Sequence, residues 1–117
     1  MSDDIVDPEE AQDEVKEKRL LEAMDRDGEL LQLKTLLDQE PVRDLLWRVL
    51  NKCRVFQSTY NKNFGDMAFS EGQRNIGLWL LSEICEADPR AEIAMKQKAN
   101  QLAHAAAQKQ TRRQRRS

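Results

Sequence analysis

The stretch from residue 41 to residue 90 limits what this chain can fold into, because it holds most of the residues able to form a core. It contains both tryptophans, both cysteines and three of the four glycines. The sequence on either side is dominated by charged residues. A core confined to such a segment makes a domain of about 60 residues, which buries only about 60% of its unfolded surface and is marginally stable. We therefore expect a small domain that gains stability from a partner or from self-association.

Two helices with regular apolar spacing are predicted inside this stretch. The first begins at Pro41 and ends near Cys53, with apolar residues recurring at helical intervals. The second begins at Ser70, because Ser70 and Gln73 match a capping box. We expect the two helices to form an antiparallel pair whose apolar faces bury each other. The predicted core consists of Leu46, Val49, Leu50, Ile76, Leu80, Leu81 and Ile84.

The segment between these helices, residues 54–67, is predicted to be an aromatic loop. It contains Val55, Phe56, Tyr60 and Phe64, which is too apolar a set for a free linker. We expect the aromatic side chains to hold the loop against the helices. Gly77 lies inside the second helix, where glycine costs about 1 kcal/mol relative to alanine. Another segment is therefore expected to pack close to the backbone at Gly77.

Two helices are predicted before the central stretch. Asp7 can cap a helix that starts at Pro8, and the first of these helices would end near Gly28. The second, from Glu29 to Asp38, is apolar nearly all round, so we expect its leucines to be buried.

The last predicted helix starts at Asp88 and Pro89 and has a narrow, alanine-rich face that extends beyond the core. Residues 111–117 are expected to be disordered when free. The fold class is thus all-α: a small helical bundle with an aromatic loop between two central helices and extended charged terminal segments. The expected organisation is an acidic N-terminal helical arm (1–27), a helical core domain (28–98) and an alanine-rich helix end with a basic tail (99–117).

Charge is segregated along the chain. Residues 1–30 carry a net charge of −8, residues 31–90 are neutral, and residues 91–117 carry +6. Such blocks are typical of solvated or interacting segments. The tail could contact nucleic acid, the acidic head of one subunit could bind the tail of the next in a ring or filament, or both could keep the protein soluble. The candidate nucleic-acid contacts are Lys109, Arg112, Arg113, Arg115 and Arg116.

No set of residues with catalytic or metal-binding spacing is present in the sequence. His104 is the only histidine and lies on a polar helix, so it is expected to be solvated. Cys53 and Cys85 are 32 positions apart and, with one histidine, cannot form a zinc site of four Cys and His ligands. We expect buried free thiols on apolar helix faces, where they act as small hydrophobic residues. We expect no enzymatic activity, cofactor, small-molecule substrate or membrane partner, and synthesis in a cytoplasm.

Several ordered motifs in the central stretch resemble those of a known family. They are Leu46-Trp47-Arg48-Val49-Leu50, Cys53-Arg54-Val55-Phe56, Phe69-Ser70-Glu71-Gly72-Gln73-Arg74-Asn75-Ile76-Gly77 and Ala87-Asp88-Pro89. This pattern resembles a small family of tailed-bacteriophage proteins typified by a virion protein of a Bordetella podophage, over roughly residues 28–98. The motif residues are Trp47, Arg48, Phe56, Phe69, Glu71, Gly72, Arg74, Asn75, Gly77, Asp88 and Pro89.

The resemblance implies a non-enzymatic virion or assembly protein. Such a protein would be made in the host bacterial cytoplasm and would bind other virion proteins, inside the capsid or near the portal. The alternative is a nucleic-acid-binding protein that acts in phage genome packaging or regulation through its basic tail. For Arg74, two roles stay open: a fork onto a carboxylate or loop carbonyls that holds the loop to the helix, or a partner contact.

Overall fold

The computed structural model describes residues 7–58 and 63–116, which form four helices and, within those ranges, no strand. They are α1 (Pro8–Leu37), α2 (Glu40–Lys52), α3 (Phe64–Ala87) and α4 (Pro89–Arg116). The predicted all-α helical bundle is confirmed. Tyr60, which was expected to hold the aromatic loop, lies outside the described residues.

Helix α1 begins as predicted but does not stop at Gly28. The Asp7 side chain accepts a hydrogen bond from the Glu9 amide at 3.0 Å, and Pro8 occupies the first turn. The predicted break at Gly28 and the separate helix from Glu29 to Asp38 are wrong, because the helix continues to Leu37. A single interior glycine costs only about 1 kcal/mol, which helix-forming neighbours can offset.

Helix α3 begins six residues earlier than predicted. Asn63 caps it, and its side chain accepts from the amides of Gly65 at 2.9 Å and Asp66 at 3.2 Å. Ser70, the predicted cap, therefore lies in the helix interior. Two capping signals compete within a few residues, and the upstream one sets the start.

Helix α4 begins where the sequence predicts and ends later. The Asp88 carboxylate accepts from the Arg90 amide at 3.0 Å, and Pro89 is the first helical residue. The expectation that residues 111–117 are disordered is wrong for 111–116, which are helical. The segment after Pro89 has no glycine or proline and is rich in alanine, glutamine, lysine and arginine, all of which favour helix.

The core lies where α3 contacts α1, α2 and α4. Of the predicted core, Leu50 and Ile84 are fully buried and Leu46, Leu80 and Leu81 are partly buried, whereas Val49 and Ile76 are exposed. The predicted burial of the α1 leucines is wrong for Leu31 and Leu36, because one side of the helix faces solvent. The buried core consists of Leu37, Leu50, Val55, Ile84, Ala91 and Met95.

The helices α1 and α4 both extend beyond this core. Residues 12–25 of α1 and 100–116 of α4 are all exposed; we call residues 8–25 the N-terminal overhang and residues 100–116 the C-terminal overhang. The radius of gyration is 22.9 Å, against about 13 Å for a compact chain of this length. The longest dimension is 93 Å, roughly twice the length of either helix (about 45 and 42 Å at 1.5 Å per residue). The overhangs therefore project in opposite directions.

The glycines give a matched test of the packing. At Gly77 an added Cβ would lie 2.5 Å from Cys53 Cβ and from Val55 Cγ2, whereas at Gly72 nothing lies within 4 Å. Gly77→Ala is expected to lower the free energy of unfolding by about 1–3 kcal/mol through overpacking. Gly72→Ala is expected to raise it by up to about 1 kcal/mol through helix propensity. Urea unfolding of both variants checks this, and equal effects at the two positions would contradict the packing described.

Candidate functional site

The end of α2 turns back onto α3 through a capping motif. Arg54 adopts a left-handed conformation with φ 57°, the Arg54 amide donates to the Asn51 carbonyl at 3.0 Å, and the Val55 amide donates to Leu50 at 3.3 Å. This is the Schellman arrangement, with arginine in the position usually held by glycine. It directs Val55 into the space left by Gly77, which confirms the predicted close approach at that glycine.

The next residue, Phe56, holds the start of the loop against two other helices. Its ring centroid lies 5.3 Å from that of Trp47 in α2, at a 31° tilt. The Lys96 ammonium of α4 lies 5.7 Å from the same ring, within reach of a cation–π interaction. The expectation that aromatic residues hold the loop is therefore confirmed for Phe56. It is wrong for Phe64, which is almost fully exposed.

Lys96 belongs to a short polar chain that ends at a thiol. It pairs with Glu92 at 2.6 Å, and the Cys85 thiol donates to the other oxygen of Glu92 at 2.8 Å. Burial, and then the Glu92 carboxylate, raise the pKa of the Cys85 thiol to about 11. The hydrogen bond from Cys85, with help from Lys96, lowers the pKa of Glu92. Both cysteines are free thiols, as expected, but the expectation that they are buried is wrong, because both are half-buried.

Two clusters of ion pairs attach α1 and α4 to the bundle. Arg26 of α1 contacts both oxygens of Glu83, at 2.7 and 2.8 Å, and Glu86 at 2.8 Å. Hydrogen bonding to Glu83 first, and then to Glu86, raises the pKa of Arg26. On α4, Lys98 contacts both oxygens of Asp44 at 2.8 and 2.9 Å and also pairs with Glu40. The partners are 54 to 60 residues apart in sequence, so no local pattern predicted them.

The outward side of α3 carries an exposed apolar surface. Phe69, Ile76 and Trp79 are 69%, 66% and 60% exposed. With Gly72 they recur at i, i+3, i+7 and i+10, which places them on one side of the helix, away from Gly77 and Ile84. We call these four residues the α3 outer face. The prediction that Ile76 belongs to the core is wrong. Its spacing of seven residues from Phe69 and three from Trp79 is the sequence signal that could have indicated the α3 outer face.

The other motif residues have mixed surroundings. Arg48 and Asn75 are exposed, and Glu71 is half-buried. Arg74 is half-buried, and its Nε atom is buried with no hydrogen-bond partner among the described residues. The hydrogen bonds of residues 7–58 and 63–116 include no fork from Arg74 onto a carboxylate, and the loop carbonyls of 59–62 lie outside the described residues. The five cations of the basic tail lie on the exposed C-terminal overhang.

The ranges that the structure covers, 7–58 and 63–116, hold neither a cluster of metal-binding groups nor a membrane-spanning helix. They contain no group of three or more His, Cys, Asp or Glu residues placed to hold a metal ion. His104 is exposed, as expected, and its Nε2 lies 3.2 Å from the Gln108 amide nitrogen. Among these residues, no helix has the length and apolar character needed to cross a membrane.

Comparison with known proteins identifies the family. The model of the Bbp19-like phage protein family matches residues 33–98, more than half of the chain. The chain belongs to this family. No curated protein and no solved structure gives a significant match. The Bbp19-like region spans the end of α1 through the first turns of α4, so it includes the Gly77 contact, the Phe56 cluster and the α3 outer face, and it excludes both overhangs.

The Cys85 thiol should react slowly until strongly alkaline pH. With a pKa of about 11, its alkylation rate should rise through that pH, and the stabilisation that its protonated form provides should be complete below about pH 9 and be lost as pH rises toward 11. Glu92→Gln should shift the rate profile to lower pH. Iodoacetamide labelling with peptide mapping separates Cys85 from Cys53. A native Cys85 profile that matches the urea-unfolded chain would contradict the burial of the thiol, and a Glu92→Gln profile that matches the wild type would contradict the hydrogen bond to Glu92.

Proposed function

We propose that this protein is a non-enzymatic component of a tailed-phage particle or of its assembly, and that it binds another particle protein through the α3 outer face. The observation that carries the proposal is the exposure of Phe69, Ile76 and Trp79 within the segment that matches the phage family. Contiguous exposed apolar side chains on a small protein are typical of interaction sites.

The core side of α3 also supports this proposal. Gly77 and Ile84 are fully packed, so the core of the domain does not need the outer face for its own folding. Burying a large apolar side chain contributes about 1.5–3 kcal/mol relative to leaving it exposed. A partner that covers three of them therefore gains a large part of its binding free energy there. Gly72, with open space around it, lets a partner approach the helix backbone closely.

The phage family also bears on location. A family protein of this kind would be made in the host bacterial cytoplasm and join the particle during assembly. We place it with the capsid interior or the portal, where a small helical accessory protein can bind an oligomeric partner.

Incorporation into particles tests the proposal. Phage carrying the triple variant Phe69→Gln, Ile76→Gln, Trp79→Gln should incorporate at least about tenfold less of the protein, because each change removes apolar surface from the contact. The matched control is Leu36→Gln, Leu45→Gln, Phe64→Gln, which alters exposed apolar residues elsewhere and should leave incorporation unchanged. Quantitative mass spectrometry of immature and mature particles makes the measurement, and circular dichroism confirms folding. Wild-type protein abundant in lysate but absent from both kinds of particle would refute a virion or scaffold role.

A second candidate function, DNA contact in packaging or regulation, is favoured by the C-terminal overhang. Its cations Lys109, Arg112, Arg113 and Arg116 recur at i, i+3, i+4 and i+7, so they lie on one side of α4. The overhang carries no acidic residue. A row of cations on one helix face can follow a phosphate backbone without reading base sequence.

Salt titration distinguishes this candidate. Four or five phosphate contacts predict a slope of about −4 in a plot of log affinity against log salt concentration for duplex DNA. Deletion of residues 109–117 should abolish binding, while Lys34→Gln, Lys52→Gln, which removes two cations of the core, should not. Fluorescence anisotropy with duplexes of unrelated sequence measures both the salt slope and the affinity of each variant. Binding that survives the deletion would show that the overhang is not the contact.

A further inference from the structure

The N-terminal overhang carries a regular seam of residues along one side of the helix. The seam positions recur at alternating steps of four and three, which is the spacing of the core positions of a coiled coil. They are Glu10, Glu14, Glu17, Leu21 and Met24. All five are exposed, and Leu21 and Met24 are 55% and 60% exposed. The three cations of this overhang, Lys16, Lys18 and Arg19, lie outside the seam.

The C-terminal overhang carries a seam of the same spacing and opposite charge. Its positions are Leu102, Ala106, Lys109, Arg113 and Arg116. They continue the line of Met95, which is buried against the bundle, and of Ala99, which is half-buried. Beyond the bundle nothing in the described chain covers this line, and Leu102 is 62% exposed.

The two seams match each other in one orientation. On each, the charged positions lie near the tip of the overhang and the apolar positions near its base. An antiparallel pair therefore aligns charge with charge and apolar with apolar, whereas a parallel pair over the same length would set carboxylates against apolar residues. The charged layers are Glu10–Arg116, Glu14–Arg113 and Glu17–Lys109. The apolar layers are Leu21–Ala106 and Met24–Leu102.

This register also fits the limits of the two overhangs. It places residue 26 in α1 of one copy beside residue 100 in α4 of the other copy. Residue 26 is where α1 enters its bundle at the Arg26 ion pairs, and residue 100 is where α4 leaves its bundle. The overhangs thus pair along their length without a gap at the base or an unpaired tip. Within one chain the two seams cannot meet, because the overhangs project in opposite directions.

We propose that two copies of this chain form an antiparallel dimer in which each N-terminal overhang packs along the C-terminal overhang of the other copy. An antiparallel contact requires the two bundles to lie side by side. Because the overhangs of one copy point in opposite directions, a twofold axis then forms both contacts at once. This closed arrangement pairs both seams of both copies, and it differs from the ring or filament that head-to-tail contact would form.

The physical forces set the salt dependence of the dimer. Exposed ion pairs are individually weak and are screened over about 8 Å at physiological salt. Here the same three pairs occur twice and flank apolar layers that bury Met24 and Leu102. We therefore expect a moderate affinity that falls as salt is raised.

Sedimentation velocity on the full chain tests the dimer. At low salt and high protein concentration the sedimenting protein should have twice the monomer mass of 13.6 kDa, with no larger species. High salt should weaken association by about tenfold or more as the charged layers are screened. A monomer at low salt, or a mass that keeps growing with concentration, would overturn the proposal.

Charge exchange gives a sharper test. The variant Glu10→Lys, Glu14→Lys, Glu17→Lys has two basic seams, and Lys109→Glu, Arg113→Glu, Arg116→Glu has two acidic seams. Each alone should be monomeric, and a mixture of the two should form a heterodimer in which every charged layer is again complementary. The matched control is Glu9→Lys, Glu22→Lys, Asp25→Lys, which makes the same charge change outside the seam and should dimerise like the wild type. Circular dichroism verifies that each variant is helical.

The outcomes separate this inference from the proposed function. Failure of the mixture to associate, or loss of the dimer in the off-seam control, would overturn the seam pairing. None of these substitutions touches Phe69, Ile76 or Trp79, so particle incorporation through the α3 outer face is measured independently. A protein that joins particles but is monomeric in solution refutes only the dimer; the reverse result refutes only the particle role.

Discussion

The close contact at Gly77 is the constraint on which the rest of the fold depends. Because this residue has no side chain, Cys53 and Val55 at the end of α2 can approach the α3 backbone. The Schellman turn at Arg54 aims Val55 at that point, and Leu50, one turn earlier, is thereby buried with Ile84. Phe56 follows directly and contacts Trp47 and Lys96, so α4 is connected to the same place. One missing methyl group therefore determines how three helices meet.

The ion pairs at the edges of this small core determine where the overhangs project. Arg26 contacts α3 at the point where α1 leaves the bundle, and Lys98 contacts α2 where α4 does. Both basic groups are partly exposed, so such pairs add little to the free energy of unfolding. Each pair instead orients a helix, because it holds the last turn that contacts the bundle. Beyond that turn the helix extends into solvent for roughly 26 Å. These two residues are the points at which the overhangs leave the bundle.

Sequence reasoning succeeded where one local signal acts alone. Asp88-Pro89, Asp7-Pro8 and the helix near Pro41 have no competing pattern, and each begins a helix as predicted. It failed where signals compete or where geometry is long-range. Ser70 is a good cap, but Asn63 acts first. Ile76 has the spacing of a core residue on one reading and of the outer face on another, and only the contact at Gly77 decides which side of α3 is inside. The ion pairs of Arg26 could not be predicted, since their partners are brought together by the fold.

The α3 outer face and the two seams lie on different helices, and this separation has a functional consequence. The α3 outer face belongs to the family-matched region, whereas the seams lie outside it on α1 and α4. A dimer built on the seams would leave both α3 outer faces uncovered and relate them by a twofold axis. Such a molecule presents two identical binding surfaces to a particle made of repeated subunits, and the second contact then forms at high effective concentration. A weak contact through Phe69, Ile76 and Trp79 becomes sufficient for stable attachment when it is made twice. In such a dimer the charged overhangs would contribute to particle binding by holding two α3 outer faces in one molecule.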